Sequence, residues 1–187
     1  MNRARIILSY DQIPQLIRQL KKEKKSIVLT QGTFDMIHIG HGRYLTEAKS
    51  YGDVLFVGVD SDEKVKIRKG PERPVVPEGE RLEMLTYLSA VDYVVLKPLK
   101  ATKWQLIKLI HPDVLIATAG TYNQVQVHKL KKTCGQVVIL KPQAITSTSA
   151  KLRRLQIGFA NNFSQALAQR VQTAIDELVS QLKKNQS

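Results

Sequence analysis

The feature that most constrains the fold of this chain is the alternation of short apolar runs with segments of helical period. The runs have the length of β-strands and are rich in β-branched residues: Ser26–Thr30, Val54–Val59, Val91–Leu96, Val114–Thr118 and Val137–Leu140. Strands that are apolar throughout fit a parallel sheet covered by helices on both faces. Repeated strand–helix units imply right-handed crossovers. The sequence therefore predicts an α/β fold, a Rossmann-like, doubly wound parallel sheet of five strands.

The helical segments divide into those that connect strands and those that flank the sheet. The connecting helices are expected at His41–Ser50, Glu78–Ser89, Lys103–Ile110 and Gln124–Lys132. The flanking helices are expected at Tyr10–Lys25 and at Asn161–Lys184, the second with Asn161 or Asn162 as its N-cap. We expect residues 1–159 to form one domain that includes the N-terminal helix. Residues 160–187 are expected to be an amphipathic helix that docks on this domain or pairs two subunits as a homodimer.

Composition narrows the class of protein. No apolar run approaches the roughly 20 residues that a membrane-spanning helix needs, and Met1–Tyr10 lacks the features of a secretory signal. Cys134 is the only cysteine, which excludes an intrachain disulfide and a multi-cysteine metal site. We therefore expect a cytosolic protein without a membrane span.

The formal net charge of +13 suggests an anionic partner. The distribution of this charge along the chain indicates whether that partner is a nucleic acid. Residues 1–25 carry a net +5 and residues 151–187 a net +4, so most of the excess lies on the flanks. A solvated helix face accounts for such charge. Nucleic acid is therefore not an expected partner.

The most informative segment runs from Gln31 to Gly42, with the sequence QGTFDMIHIGHG. It begins where the first predicted strand ends and stops where a helix begins, which is the region where open α/β sheets bind ligands. A helix N-terminus offers unpaired N–H groups to phosphate. His38 and His41 are three residues apart, so both rings project from one face and can donate hydrogen bonds to phosphate oxygens. The chain contains no Walker A, GxGxxG or HExxH motif.

This segment resembles the signature of the cytidylyltransferase-like nucleotidyltransferases, G-x-F-D-x-x-H-x-G-H, and matches it at every fixed position. Further resemblance is to the heptose-phosphate adenylyltransferases of that family. It is carried by Ser61–Gly70 with Arg73-Pro74-Val75, Glu80-Arg81, Ala90-Val91-Asp92, His111–Ile116 and Ser147-Thr148-Ser149, the last standing where the family has an I-S-T-T-type motif. The resemblance covers roughly residues 10–157.

The resemblance implies an enzyme that transfers a nucleoside monophosphate from ATP or CTP to a phosphorylated small molecule, such as a sugar or polyol phosphate. A phosphate oxygen of the acceptor would attack the α-phosphorus in line, and pyrophosphate would leave. The implied partners are thus a nucleoside triphosphate and a phosphorylated acceptor. Mg²⁺ is expected with the triphosphate, and no metal ligand is assigned to the protein.

The resemblance also assigns residues. The implied catalytic residues are His38, His41 and Lys66. The implied nucleotide-binding residues are Gly32, Thr33, Phe34, Gly40, Lys69, Arg81, Ser147, Thr148 and Ser149. The implied acceptor-binding residues are Asp35, Gly120, Thr121 and Tyr122. Both lysines lie in a segment expected to be a solvated, mobile loop, and Asp35 is expected to order its loop because a carboxylate would repel phosphates.

The acceptor region departs from the family pattern. Where the heptose-phosphate group has K-G-G-D-Y, Ala117–Tyr122 reads ATAGTY, which lacks both the basic residue and the carboxylate. Lys141–Ala144 lacks the arginine that precedes the I-S-T-T motif in polyol-phosphate and amino-alcohol-phosphate enzymes, and Gly79 replaces a frequent glutamate. The sequence therefore does not decide between ATP and CTP, nor does it identify the acceptor. An amino-alcohol phosphate and FMN are the alternative acceptors.

Two other readings start from the same motif. The first is a non-catalytic sensor or scaffold that keeps the nucleotide pocket. The second is a class I aminoacyl-tRNA synthetase, whose motif also reads H-I-G-H. The second lacks support, because the chain has no KMSKS-like lysine loop and no length for an anticodon domain.

Overall fold

The structure is a computed structural model that describes residues 4–143 and 148–184. Within these residues the strands are β1 (Arg5–Ile7), β2 (Ile27–Gly32), β3 (Val54–Asp60), β4 (Tyr93–Lys97), β5 (Val114–Thr118) and β6 (Gln136–Leu140). The α-helices are α1 (Ile13–Lys22), α2 (Ile39–Lys49), α3 (Asp62–Lys69), α4 (Glu78–Thr86), α5 (Gln105–Ile110), α6 (Gln124–Leu130) and α7 (Thr148–Lys184). A single 3₁₀ turn, Tyr10–Gln12, precedes α1 in this part of the chain.

The strands form one parallel sheet in the order β1-β4-β3-β2-β5-β6. From β2 the chain adds β3 and β4 on one side and β5 and β6 on the other. The order therefore reverses between β2 and β5, and this switch point is where such sheets bind ligands. The predicted Rossmann-like fold is confirmed, with a correction of its strand number from five to six. The missed strand, β1, has three residues and is too short to show a period of its own.

The core consists of two apolar layers, one on each face of the sheet. On one face α1 and α5 supply Ile13, Ile17, Leu20, Leu106, Ile107 and Ile110. On the other face α2 and α4 supply Leu45, Ala48, Leu82 and Leu85. Successive residues of a strand alternate between the layers, so Ile27 and Leu29 pack in the first and Val28 in the second. Every residue of β3 is buried, as expected of a central strand covered on both faces.

Asp62–Lys69 form the helix α3, and the expectation of a loop there was wrong. Ser61 caps α3 by accepting a hydrogen bond from the Lys64 amide at 3.4 Å, and Gly70 ends the helix with φ 98°. The acidic residues lie in the first turn and the basic residues in the last, an order that complements the helix dipole.

The C-terminal helix is longer than the sequence indicated. It runs without interruption over Thr148–Lys184, so Asn161 and Asn162 lie inside it, and the expected N-cap there was wrong. The chain divides into two compact units, Met1–Ile145 and Thr146–Ser187, and the functional partition at residues 159 and 160 stays a prediction. Across residues 4–143 and 148–184, no helix combines the length and apolar character that crossing a membrane requires. The cytosolic location also stays a prediction.

Candidate active site

Two histidines cap the N-terminus of α2. His38 is the N-cap residue, in an extended conformation with φ −139°, and its Nδ1 accepts a hydrogen bond from the Gly40 amide at 3.1 Å. His41, in the first turn, accepts a hydrogen bond from the His38 amide at its own Nδ1, at 3.2 Å. The two side chains thus form a reciprocal capping box with imidazoles in place of the usual hydroxyl and carboxylate.

This cap determines how the imidazoles present their protons. A ring nitrogen that accepts a hydrogen bond carries no proton, so a neutral ring in this arrangement holds its proton on Nε2. The ring centroids of His38 and His41 are 4.2 Å apart, which confirms that the rings lie together. Two N–H donors therefore lie together at the positive end of the α2 dipole, an arrangement that can stabilise charge on phosphate oxygens.

The loop that joins β2 to this cap has an unusual backbone. Phe34 and Met36 both have left-handed φ angles, 52° and 50°, which are uncommon for residues other than glycine and gather at functional sites. A Cβ added at Gly32 would lie 3.0 Å from the Phe34 ring, so the glycine allows the ring to fold back over β2. Thr33 and Gly40 are buried in the same loop and helix start.

A cavity of about 670 Å³ opens at the carboxyl ends of β2 to β5, where the strand order reverses. The strands supply Gln31, Gly32, Asp60, Lys97 and Thr118, and Thr33 follows β2. Five cationic side chains line the cavity: Lys64, Arg68, Lys69, Lys97 and Lys103. Its aromatic wall consists of Tyr10, Trp104 and Tyr122. The cavity is thus strongly basic. It includes the first residues of the segment in which the sequence predicted a phosphate site, Gln31 to Thr33, whereas His38 and His41 are not among the residues that line it.

The helix α3 brings some of its basic residues to the cavity and not others. Lys64 and Arg68, one turn apart, line it together with Lys69, whereas Lys66 does not. Burial, together with the positive charges of Arg73 and Arg68, lowers the pKa of Lys69 below its ordinary value. Of the two lysines implied by the sequence, the structure places Lys69 at the site.

The cationic side chains of the cavity surround one carboxylate, which the sequence analysis did not identify. Asp60 is 1% exposed, and its Oδ1 lies 2.9 Å from the Lys97 Nζ and 3.9 Å from the Lys64 Nζ. Its Oδ2 accepts a hydrogen bond from Arg68. Burial acts to raise the pKa of Asp60, but these cations outweigh it and hold that pKa below its ordinary value. The available signal was that Asp60 and Lys97 directly follow two of the predicted apolar runs.

Asp35 holds the segment after α3 and does not line the cavity. It is 3% exposed and accepts hydrogen bonds from the amides of Val75, at 3.1 Å, and Val76, at 3.0 Å. The Arg73 guanidinium lies 2.9 Å from its Oδ2. The geometry gives this carboxylate an ordering role and places it apart from the acceptor region to which the sequence assigned it.

Arg81 is buried among backbone oxygens, with a side chain that is 0% exposed. Its Nε donates to the Val76 carbonyl at 2.9 Å, and its two terminal nitrogens donate to the carbonyls of Thr33 and Asp60 and to the Asp62 carboxylate. The guanidinium thereby joins the ends of β2 and β3 to the start of α3. This placement makes Arg81 a positioning residue, where the sequence had implied a nucleotide contact.

The loop after β5 contributes part of the predicted acceptor set. Thr121 and Tyr122 line the cavity, whereas Gly120 forms the turn before them with φ 81°. The Tyr122 hydroxyl accepts a hydrogen bond from Gln31 at 3.4 Å, and burial raises the pKa of Tyr122 to about 12. Ser147 lies outside the described residues. Thr148 and Ser149 begin α7, and their side chains also lie outside the description.

A doubly wound sheet with a histidine-capped helix and a basic cavity at its switch point is the arrangement that the G-x-F-D-x-x-H-x-G-H signature predicts. Residues 29–174 match the protein-family model described as Cytidylyltransferase-like. The chain therefore belongs to the cytidylyltransferase-like family.

Curated relatives of this chain carry the name Bifunctional protein HldE, and two of them show the extent of the similarity. The protein from a Nitratiruptor species is 46% identical over 110 residues, which are 59% of this chain and 24% of that protein. The protein from Wolinella succinogenes is 39% identical over 152 residues, 80% of this chain and 31% of that protein. The chain thus spans a third or less of the length of these relatives.

The solved structures that are similar include that of the lipopolysaccharide core biosynthesis protein from Thermoplasma volcanium. It is 27% identical with a TM-score of 0.53, and the match covers 63% of this chain and 96% of that chain.

The buried hydrogen bonds of Arg81 lead to a prediction about stability. Arg81→Gln should lower the free energy of unfolding by about 3 kcal/mol or more, because it leaves buried oxygens without donors. The matched control is Arg43→Gln, on the exposed surface of α2, which should change it by less than about 0.5 kcal/mol. Urea unfolding followed by circular dichroism measures both. An Arg81 variant as stable as the control, with only nucleotide binding weakened, would show a direct ligand contact instead.

Proposed function

We propose that this chain transfers a nucleoside monophosphate from ATP or CTP to a phosphorylated small molecule and releases pyrophosphate. The observation that carries the proposal is the reciprocal cap of His38 and His41 on α2. The same segment of the chain begins with Gly32 and Thr33, which line the basic cavity. Membership of the cytidylyltransferase-like family supports the nucleotidyl transfer.

The reaction that fits this site is a single displacement. A phosphate oxygen of the acceptor attacks the α-phosphorus and forms a new P–O bond. The bond from the α-phosphorus to the oxygen bridging it to the β-phosphorus breaks, and pyrophosphate leaves with the electron pair. An ionised phosphate needs no general base, so catalysis is positioning and stabilisation of the charge that develops. The Nε2–H groups of His38 and His41 would donate to the phosphate oxygens that gain this charge.

The remaining residues hold the triphosphate in this scheme. Lys69 is the lysine that would bridge phosphates, in preference to Lys66, because Lys69 lines the cavity and Lys66 does not. Gly32 and Thr33 approach the triphosphate through their backbone. The phosphate contacts assigned to Ser147, Thr148 and Ser149 stay predictions.

Mg²⁺ would enter the site already bound to oxygens of the triphosphate. The two buried carboxylates of this region are engaged, Asp60 by cations and Asp35 by amides and Arg73. Among the described residues, no three His, Cys, Asp or Glu side chains form a group that could hold a metal ion. When bound, the ion would neutralise part of the charge that passes to pyrophosphate.

A sugar or polyol phosphate is the acceptor that we favour. The cavity is basic, and a solved relative is named a lipopolysaccharide core biosynthesis protein. The changed loop Ala117–Tyr122 is the specific observation in favour of a second candidate, a nucleotide sensor without transfer activity.

Pyrophosphate release tests the proposal. The purified chain is incubated with Mg²⁺, each nucleoside triphosphate and a panel of sugar, polyol and amino-alcohol phosphates and FMN. We expect release with ATP or CTP only when a sugar or polyol phosphate is present. Tight nucleotide binding without release for any acceptor would exclude the transferase and favour the sensor.

The histidine cap generates a prediction that separates its structural role from its chemical one. His41→Ala should lower turnover by about 10²–10³, as loss of one transition-state donor does. His41→Asn offers an oxygen at the position of Nδ1 and should keep the cap but lose the same rate. His41→Gln offers an amide nitrogen at the position of Nε2 and should recover part of the rate. Near-full activity in the alanine or asparagine variant would contradict the mechanism.

We also propose that α7 pairs two copies of the chain. Its apolar residues recur at every fourth position and are between 48% and 74% exposed: Phe159, Phe163, Leu167, Val171 and Ile175. An exposed apolar stripe marks an interaction surface, and a two-fold pair lets it bury itself. Light scattering should report a dimer that Phe163→Glu dissociates and Gln169→Glu does not. A monomer at every concentration would exclude this pairing.

A further inference from the structure

Part of the cavity is walled by aromatic and basic residues that the triphosphate scheme does not use. We call it the aromatic half and define it by Tyr10, Lys97, Lys103, Trp104 and Tyr122. The Trp104 and Tyr122 rings meet edge to face with centroids 6.5 Å apart, and the Lys103 Nζ lies 5.1 Å from the centre of the Trp104 ring. Aromatic walls with a few convergent polar groups are typical of small-molecule sites.

The position of Lys97 depends on the neighbouring strand. At Gly58 of β3, an added Cβ would lie 2.9 Å from the Lys97 Cδ and 3.1 Å from the Gln31 Cγ. The missing side chain therefore leaves room for the Lys97 stem across β3, and the ammonium reaches Asp60 at the cavity wall. Lys97 is placed by the sheet itself rather than by a surface loop.

The charges around Lys97 do not cancel. Among the described residues that line the cavity, Asp60 is the only acid, and it faces three cations, Lys64, Arg68 and Lys97. One carboxylate neutralises one of the three. The excess positive charge is what a phosphate ester would compensate.

Two further features indicate a ligand in this half. The Tyr10 hydroxyl is buried and has no hydrogen-bond partner, which in the part of the chain that the structure describes holds for only one other buried side-chain atom, the Arg73 Nε. Trp104 has a left-handed φ of 63°, a conformation that is rare for a bulky residue and persists mainly at functional sites.

We propose that the aromatic half is the acceptor subsite, in which Lys97 and Lys103 bind the phosphate of a sugar or polyol phosphate and Tyr10, Trp104 and Tyr122 face its carbon skeleton. The inference rests on the proposed function, because only a transferase has an acceptor substrate. It also accounts for the changed loop Ala117–Tyr122, because the end of β4 and the start of α5 supply the positive charge that this loop lacks.

The same geometry selects against an amino-alcohol phosphate. The ammonium of such a compound needs an acidic or carbonyl partner and would meet Lys97 and Lys103. Since Asp60 is already engaged by three cations, it offers little to a fourth. Glycerol 3-phosphate and phosphoethanolamine have similar size and differ in this charge, which makes them a matched pair of probes.

Trp104 allows binding to be measured without turnover, because it is the only tryptophan in the chain and lies in the proposed subsite. The full chain, with a non-hydrolysable nucleoside triphosphate and Mg²⁺, is titrated with glycerol 3-phosphate, glucose 1-phosphate and phosphoethanolamine. We expect the first two to change the Trp104 emission and phosphoethanolamine to bind more weakly. No change with any probe, or equal binding of phosphoethanolamine, would overturn the proposal.

Three lysine variants test which side chains bind the phosphate. Lys97→Met and Lys103→Met should each weaken binding of the two probes about tenfold, as loss of a charged hydrogen bond does. Lys108→Met, on the exposed side of α5, should not. Lys97→Met leaves Asp60 with Arg68 and Lys64, and Lys103 is exposed, so neither change should unfold the domain.

The outcomes separate this proposal from the proposed function. Wild-type binding in both Lys97→Met and Lys103→Met would overturn the subsite even if the wild-type chain releases pyrophosphate. Conversely, lysine-dependent binding of sugar phosphates without any pyrophosphate release would overturn the transferase and leave the subsite standing. Nucleotide affinity, measured by calorimetry, should be unchanged in all three variants.

Discussion

The site depends on one buried carboxylate at the end of β3. Through its side chain Asp60 draws Lys97, Arg68 and Lys64 together at the cavity wall, and through its backbone carbonyl it accepts a hydrogen bond from Arg81. Like charges at such short range repel one another, so without this carboxylate the cations would separate. A residue that contacts no reacting atom in the proposed mechanism thus determines where the positive charge of the cavity lies.

The other charged residues of the region divide into those that build the site and those that face its ligand. Asp35 and Arg81 are buried and satisfied by backbone groups, so they hold the loops around Thr33 and Val76 in place. The imidazoles of His38 and His41 combine both functions, because Nδ1 caps the helix while Nε2 presents a donor. Neither buried carboxylate is available as a base, which suits a nucleophile that is already ionised.

The sequence predicts the parts of this molecule that depend on local pattern. Apolar strands covered on both faces, such as β3, are visible as unbroken runs, and the histidine motif reveals its own strand–helix junction. The helix α3 escaped prediction because Val65 is its only buried residue, so it shows no apolar stripe and is held by its cap and charge order. The Asp60–Lys97 pair escaped because the two residues become neighbours only through the register of β3 with β4. The same holds for Arg81, whose role depends on carbonyls that three separate segments bring around it.

This difference explains why the sequence predicts the residues of one half of the cavity better than those of the other. In the proposed scheme most of the triphosphate end comes from one continuous segment, Gly32 to His41, which Lys69 joins from the last turn of α3. The aromatic half is assembled from the turn before α1, the end of β4, the start of α5 and the loop after β5. Electrostatic attraction depends on distance and not on chain position, so a cation at the end of β4 can replace one after β5. The ligand would then be held from a different wall, and the phosphate oxygen turned toward the α-phosphorus would change with it. In the proposed subsite, acceptor choice therefore depends on strand register and on the geometry of the cavity wall, which no short motif contains.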